Sequence, residues 1–135
     1  MEPIPTYIIE VSNLSKSYGK KKVLSSISLQ ACQGECIGIL GANGCGKSTL
    51  LSLISGLIKP ESGSILINGT ENNAGNTNIG YMLQKDHLFE WRTIYSNVTL
   101  GLEIQHQMTP ERLKNVDHML ELYGLSGFTK QRPSQ

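Results

Sequence analysis

Apolar and polar positions along the chain predict a strand-rich first part and a helical end. Tyr7-Ile8-Ile9-Glu10-Val11 and Val23 to Leu29 are short β-rich runs, and the polar stretch Ser12 to Lys22, with Gly19 and the lysine triplet Lys20-Lys21-Lys22, predicts the turn between them. After the break at Gln33-Gly34-Glu35, the run Cys36-Ile37-Gly38-Ile39-Leu40 is almost continuously apolar, as suits a strand of a parallel sheet covered on both faces. Leu50, Leu51, Leu53, Ile54 and Leu57 recur at helical spacing, which predicts a helix from Ser48 to Gly56 stopped by Lys59-Pro60-Glu61-Ser62-Gly63. Ser64 to Gly69 alternates as a strand ending in a turn. Gly69 to Asn78, rich in Asn and Gly, predicts an exposed loop.

Ile79-Gly80-Tyr81-Met82-Leu83 is a further apolar run, predicted as a strand that empties into the polar loop Gln84-Lys85-Asp86. Thr93 is a good N-cap for a helix reaching Gln105. Thr109-Pro110-Glu111 is a stronger start, with Thr at the cap, Pro at the first helical position and Glu in the first turn. Leu113, Val116, Leu120 and Tyr123 then line one face, and Gly124 follows as a C-terminal cap.

A length of 135 residues suits one domain. The balance of 12 Lys+Arg against 11 Asp+Glu gives a formal net charge of +1, which offers neither the footprint of a nucleic-acid binder nor a basic membrane tail. Cys32, Cys36 and Cys45 are an odd set without a disulfide framework, and Met1-Glu2-Pro3 opens no charged-then-apolar leader, so the chain reads as reduced and cytosolic. Cys32 and Cys36 read as buried thiols rather than metal ligands, having no further ligand in reach. No apolar stretch approaches the roughly 18 to 20 residues of a membrane helix, so any membrane span in its assembly belongs to another chain.

The chemistry is concentrated between the apolar run ending at Leu40 and the helix beginning near Lys47. Gly41-Ala42-Asn43-Gly44-Cys45-Gly46-Lys47-Ser48 fits the phosphate-loop pattern, Gly followed by four residues and then Gly-Lys-Ser, in the strand-then-helix context that the pattern requires. A triphosphate has to be met by several backbone N–H groups within about 3 Å of its oxygens, and glycines allow the backbone to curl that tightly. The helix N-terminus adds a favourable field. Lys47 is placed to set its ammonium against the β and γ phosphates, the Ser48 hydroxyl to ligate Mg²⁺, and Thr49 to bond an α-phosphate oxygen.

With that loop assigned, the chain from about Tyr7 onward resembles the ATP-binding subunit of ABC transporters. Tyr18, in Leu14-Ser15-Lys16-Ser17-Tyr18-Gly19, matches the family's adenine-stacking aromatic; read alone, it is equally a surface tyrosine in a turn. Pro60 to Gly69 resembles the turn and strand that follow the loop helix. Gln84 matches the Q-loop glutamine, which reaches toward Mg²⁺ and the attacking water and is coupled to the membrane subunit; read alone, it is a polar strand end. Asp86 to Thr93 with the following Asn97 to Leu102, and above all Trp91-Arg92-Thr93, is similar to importers of the nitrate, sulfonate and taurine type, where this surface faces the transmembrane subunit; Trp91 closing a small core is the alternative.

The resemblance implies an α/β fold: the N-terminal part of an ABC-type P-loop NTPase, with an antiparallel β subdomain and the start of a helical subdomain. The expected division is a nucleotide-binding core over 6–92 and the helical start over 93–135. The implied ligands are ATP and Mg²⁺, and the implied partners are transmembrane permease subunits touching Gln84 to Thr93, a second ATP-binding subunit and, indirectly, a solute-binding protein. The implied location is the inner face of the cell membrane, as a peripheral subunit.

Two departures qualify that picture. No four apolar residues followed by Asp-Glu occur after the loop, and the sequence reaches Arg132-Pro133-Ser134-Gln135 without a Leu-Ser-Gly-Gly-Gln signature. The expectation is therefore part of a longer subunit that binds MgATP without efficient turnover. A different P-loop NTPase or kinase, and a non-catalytic nucleotide-binding fragment, remain alternatives at this point. Against a GTPase, the sequence has no Asn-Lys-x-Asp guanine motif.

Overall fold

The computed structural model describes residues 6–72, 79–85 and 87–134, so 73–78 of the expected Gly69–Asn78 loop and Asp86 lie outside the described residues. The chain divides into two compact units, Met1–Tyr81 and Met82–Gln135.

In the first unit, β1 (Tyr7–Tyr18) and β2 (Lys21–Cys32) form a long antiparallel hairpin. β3 (Ser62–Ile67) pairs antiparallel with the other edge of β1, and the short β4 (Thr70–Glu71) with β3, giving the order β2-β1-β3-β4. The strands run well beyond the two apolar runs that suggest them, and the turn is reduced to Gly19 and Lys20. Hydroxyl side chains make the extension possible. The register slips between Val11 and Leu14, where Asn13 takes positive φ, and again between Leu14 and Lys16, where Ser26 on β2 does; the Asn13 N–H donates to Ser28 Oγ at 2.8 Å and the Ser26 N–H to Ser15 Oγ at 3.0 Å. Serine hydroxyls, Ser15 from the polar stretch and Ser28 from β2, therefore supply the acceptors that the bulges take from the ladder.

Helix α1 (Lys47–Ile54) presents Leu50 and Leu53, one turn apart, to this sheet. They join Val11, Leu14, Leu24, Ile65 and Ile67 in one buried cluster. The helix ends earlier than its downstream proline suggests. Gly56, at φ 77°, donates to Leu53 O at 3.0 Å while the Leu57 N–H reaches Ser52 O at 3.0 Å, the paired bonds of a Schellman ending.

Two sequence expectations are corrected here. Cys36–Leu40 and Ile79–Leu83 are not strands, and all strand pairing among the described residues is antiparallel. An apolar run becomes a strand only when a neighbour accepts and donates its ladder bonds, and no described residue does so for these two. Their burial is correspondingly incomplete: Ile39 and Ile79 pack on the core, but Leu40 is 96% exposed and Met82 93%. Cys36, expected to be buried, is exposed for the same reason.

In the second unit, the expected Thr93–Gln105 helix is two short ones, α2 (Ile94–Val98) and α3 (Leu100–Ile104). Thr99 sits buried at the joint, its Oγ1 donating back to Tyr95 O at 3.0 Å, a competition with the helix ladder that bends helices. Helix α4 (Pro110–Leu122) starts where expected: Thr109 Oγ1 accepts from the Arg112 N–H at 3.4 Å. It ends at Gly124, at φ 71°, with the Leu125 N–H on Leu120 O at 2.7 Å. Leu120 is buried and Leu113 and Val116 half-buried, but Tyr123 is exposed and drops out of the expected face.

Candidate functional site

The residues Gly41 to Ser48 wrap the N-terminus of α1. Three glycines are there for three separate reasons. Gly44 takes φ 79°, the left-handed region. Gly46, at φ 104°, is buried against β2, where a Cβ would lie 2.9 Å from Leu24 Cδ2 and 3.1 Å from the Val23 carbonyl oxygen. Gly41 has an ordinary φ but receives the Cys45 side chain, whose Sγ would be 2.6 Å from a Cβ at that position. Val23 is itself the extra residue of a bulge, since Lys16 pairs with Leu24 while Ser17 pairs with Lys22.

The loop delivers an uncapped helix start. No side chain bonds the first backbone N–H groups of α1, and no acidic residue occupies its first turn. Those donors and the positive end of the helix dipole are thus left for an anion. Lys47 adds a positive charge: its Nζ donates to Gly41 O at 2.6 Å and Ala42 O at 2.8 Å and lies 3.8 Å from Cys45 Sγ, so the ammonium bridges the loop. Asn43 and Ser48 are exposed and Thr49 is half-buried.

Tyr18 closes β1 opposite Lys21, and it is 52% exposed. The hairpin end that carries it is the end that Gly46 packs on, because Val23 and Leu24 lie two and three residues along β2 from Lys21. Tyr18 and the glycine loop thus belong to one unit and one end of the sheet. Gln84 belongs to the second unit, exposed and outside any helix or strand.

Ser48, with its hydroxyl, and Asn43, with its amide oxygen, are the loop side chains that offer oxygen to a hard cation alongside phosphate and water. Among the described residues there is no cluster of three or more His, Cys, Asp or Glu that would hold a metal by itself. That donor set fits a cation carried in with a polyphosphate rather than a caged one. His87, His106 and His118 are all exposed.

The second unit contains an ordered aromatic loop that sequence reasoning sees only in part. Phe89 and Trp91 pack ring against ring at 4.7 Å between centroids, with their planes tilted by 46°, and Trp91 is 71% exposed, so it does not close a core. Asn97 holds this loop: its Oδ1 accepts from the Phe89 N–H at 2.8 Å, and its Nδ2 donates to Phe89 O at 3.0 Å and Thr93 O at 3.0 Å. Arg92 is paired with Glu103. The available signal was an amide side chain four residues after a helix cap.

Tyr95, on α2, has its pKa raised above 10.0, first by burial and then by the Asp117 carboxylate, which repels the phenolate and accepts the hydroxyl's hydrogen bond. An unfolded tyrosine gives up its proton first as pH rises, so the folded state loses stability from about pH 10 upward. Thermal unfolding of the chain should fall more steeply through that range than unfolding of Tyr95→Phe. Parallel curves would contradict the assignment.

The family model described as ABC transporter matches residues 24–135, most of the chain. This chain belongs to the ABC transporter family. The uncharacterized ABC transporter ATP-binding protein YtlC of Bacillus subtilis (strain 168) is 44% identical over 116 residues, covering 86% of this ABC transporter chain and 45% of that protein. The taurine import ATP-binding protein TauB of Jannaschia sp. (strain CCS1) is 37% identical over 113 residues, covering 84% of this chain and 42% of that protein. A solved ATP-binding subunit of an ABC transporter aligns with TM-score 0.85 at 26% identity over 95% of this chain and 55% of that one. The fold is that of an ABC-type P-loop NTPase domain. The chain spans less than half the length of these two relatives.

Proposed function

We propose that this chain is the ATP-binding, energy-coupling part of an ABC importer subunit, serving uptake of a small solute of the nitrate, sulfonate or taurine type. The observation that carries the reading is the uncapped start of α1, with the Lys47 ammonium held at the mouth of the loop. In this reading the N–H groups of the Gly41 to Ser48 loop, Ala42, Asn43 and Cys45 included, cradle the phosphates. Lys47 neutralises the β and γ phosphates, Thr49 bonds the α-phosphate, and Tyr18 stacks on adenine. Ser48 and Gln84 serve Mg²⁺, which would screen charge between the phosphates.

The nucleotide-binding core spans 6–92 and the helical start 93–135. Two such subunits close on two ATP, and closure passes through Gln84 and the surface to Thr93 into the transmembrane permease subunits at the inner membrane face, a solute-binding protein delivering the cargo. The TauB likeness supports the importer type. No helix among the described residues is long and apolar enough to cross a membrane, which fits a subunit whose span lies in its partners. Taken alone, the chain binds MgATP without efficient turnover, because its sequence has no apolar run ending in Asp-Glu to polarise the attacking water.

Titration with a fluorescent ATP analogue and Mg²⁺ tests this reading. Saturable binding displaced by ATP is expected. No saturable binding, or displacement by GTP at far lower concentration than ATP, would sink it.

A further inference from the structure

We infer that Lys16 is a positioning residue for the Tyr18 ring and, through it, for the adenine base. The inference rests on the reading of Tyr18 as the stacking platform. Lys16 and Tyr18 are two apart on β1, so their side chains leave the same face of the strand. The Lys16 ammonium lies over the Tyr18 ring, 5.8 Å from its centroid, within the range of a cation–π contact. It is also tethered: Nζ donates to the Lys59 carbonyl at 2.8 Å, 43 residues away in the connection between α1 and β3.

Two effects follow for a base laid on the ring. A ring already engaged on one face by a fixed cation has fewer rotamers to give up when the base arrives, so less entropy is lost on stacking. The cation also draws electron density from the ring, which lessens the repulsion between two stacked π faces. The tether ties the platform to the chain that leaves the phosphate-loop helix. Lys16 thus belongs to base recognition, although it lies outside the phosphate loop.

The test uses two probes on the 135-residue chain, MgATP and magnesium tripolyphosphate, the second having no base. Lys16→Met is expected to raise the Kd for MgATP about two- to fivefold and leave that for tripolyphosphate unchanged, with Lys16→Arg restoring ATP affinity. In a Tyr18→Leu background the Lys16→Met change should have no further effect. Equal weakening of both probes would mean a general charge or folding effect and would overturn the inference, as would unchanged ATP affinity or full additivity with Tyr18→Leu. If Tyr18→Leu alone left ATP binding intact, or the unmodified chain bound no ATP, the stacking reading itself would fall and the inference with it.

Discussion

Lys47→Ala is expected to raise the Kd for MgATP by about two orders of magnitude, while the thermal midpoint moves little. The ammonium makes two hydrogen bonds in the free loop, to the Gly41 and Ala42 carbonyls, both in an exposed setting. Losing these costs the fold little, because water replaces the lysine at either carbonyl. A bound triphosphate draws the same donors into charge-assisted bonds of about 1.5 kcal/mol or more each, so two of them amount to about 3 kcal/mol, or about 100-fold. Equilibrium titration beside a melting curve separates the two effects. Affinity within a factor of about three of the unmodified chain would show that the loop's backbone carries the binding by itself.

The largest effect on stability should come from Gly63→Ala, far from any nucleotide contact in the proposal. Gly63 has φ 90°, and a Cβ there would stand 2.5 Å from both the Ser12 and Asn13 carbonyl oxygens. These are backbone atoms at the bulge in β1, where the β1 to β3 register also shifts, so no rotamer change relieves the clash. The strain of the left-handed conformation adds to it, and a loss of about 4 kcal/mol or more is expected. Gly69→Ala is the matched control. Its φ is 73°, but nothing lies within 4 Å of its Cβ position, so about 1 kcal/mol should be lost. Urea unfolding of the two variants measures the difference, and equal losses would refute the close-approach argument.

What the sequence makes legible is what neighbours in the chain decide. The phosphate loop, the Thr109 cap with Pro110, and the Gly124 ending are each written within a few residues, and each was readable. Ser12 to Lys22 misleads because Asn13 and Ser15 look like turn chemistry; their bonds to Ser28 and Ser26 depend on a register between two strands that no local pattern states. Cys36 to Leu40 misleads in the opposite sense, since apolar content marks what a strand would bury and not whether a neighbour is there to pair with it. At the site, no local pattern states the role of Lys16, whose tether is 43 residues distant, or the clamp that Asn97 makes, whose loop shows only once folded.

The Asn97 clamp and the tilted Phe89–Trp91 pair also make the protein its own optical gauge. Trp91 is the chain's single tryptophan, so every photon of indole emission comes from that loop. It stands largely in water, and any chain that settles over it must dehydrate the indole and move its emission to shorter wavelength. Assembly with the proposed membrane partner could therefore be followed in real time with no label attached.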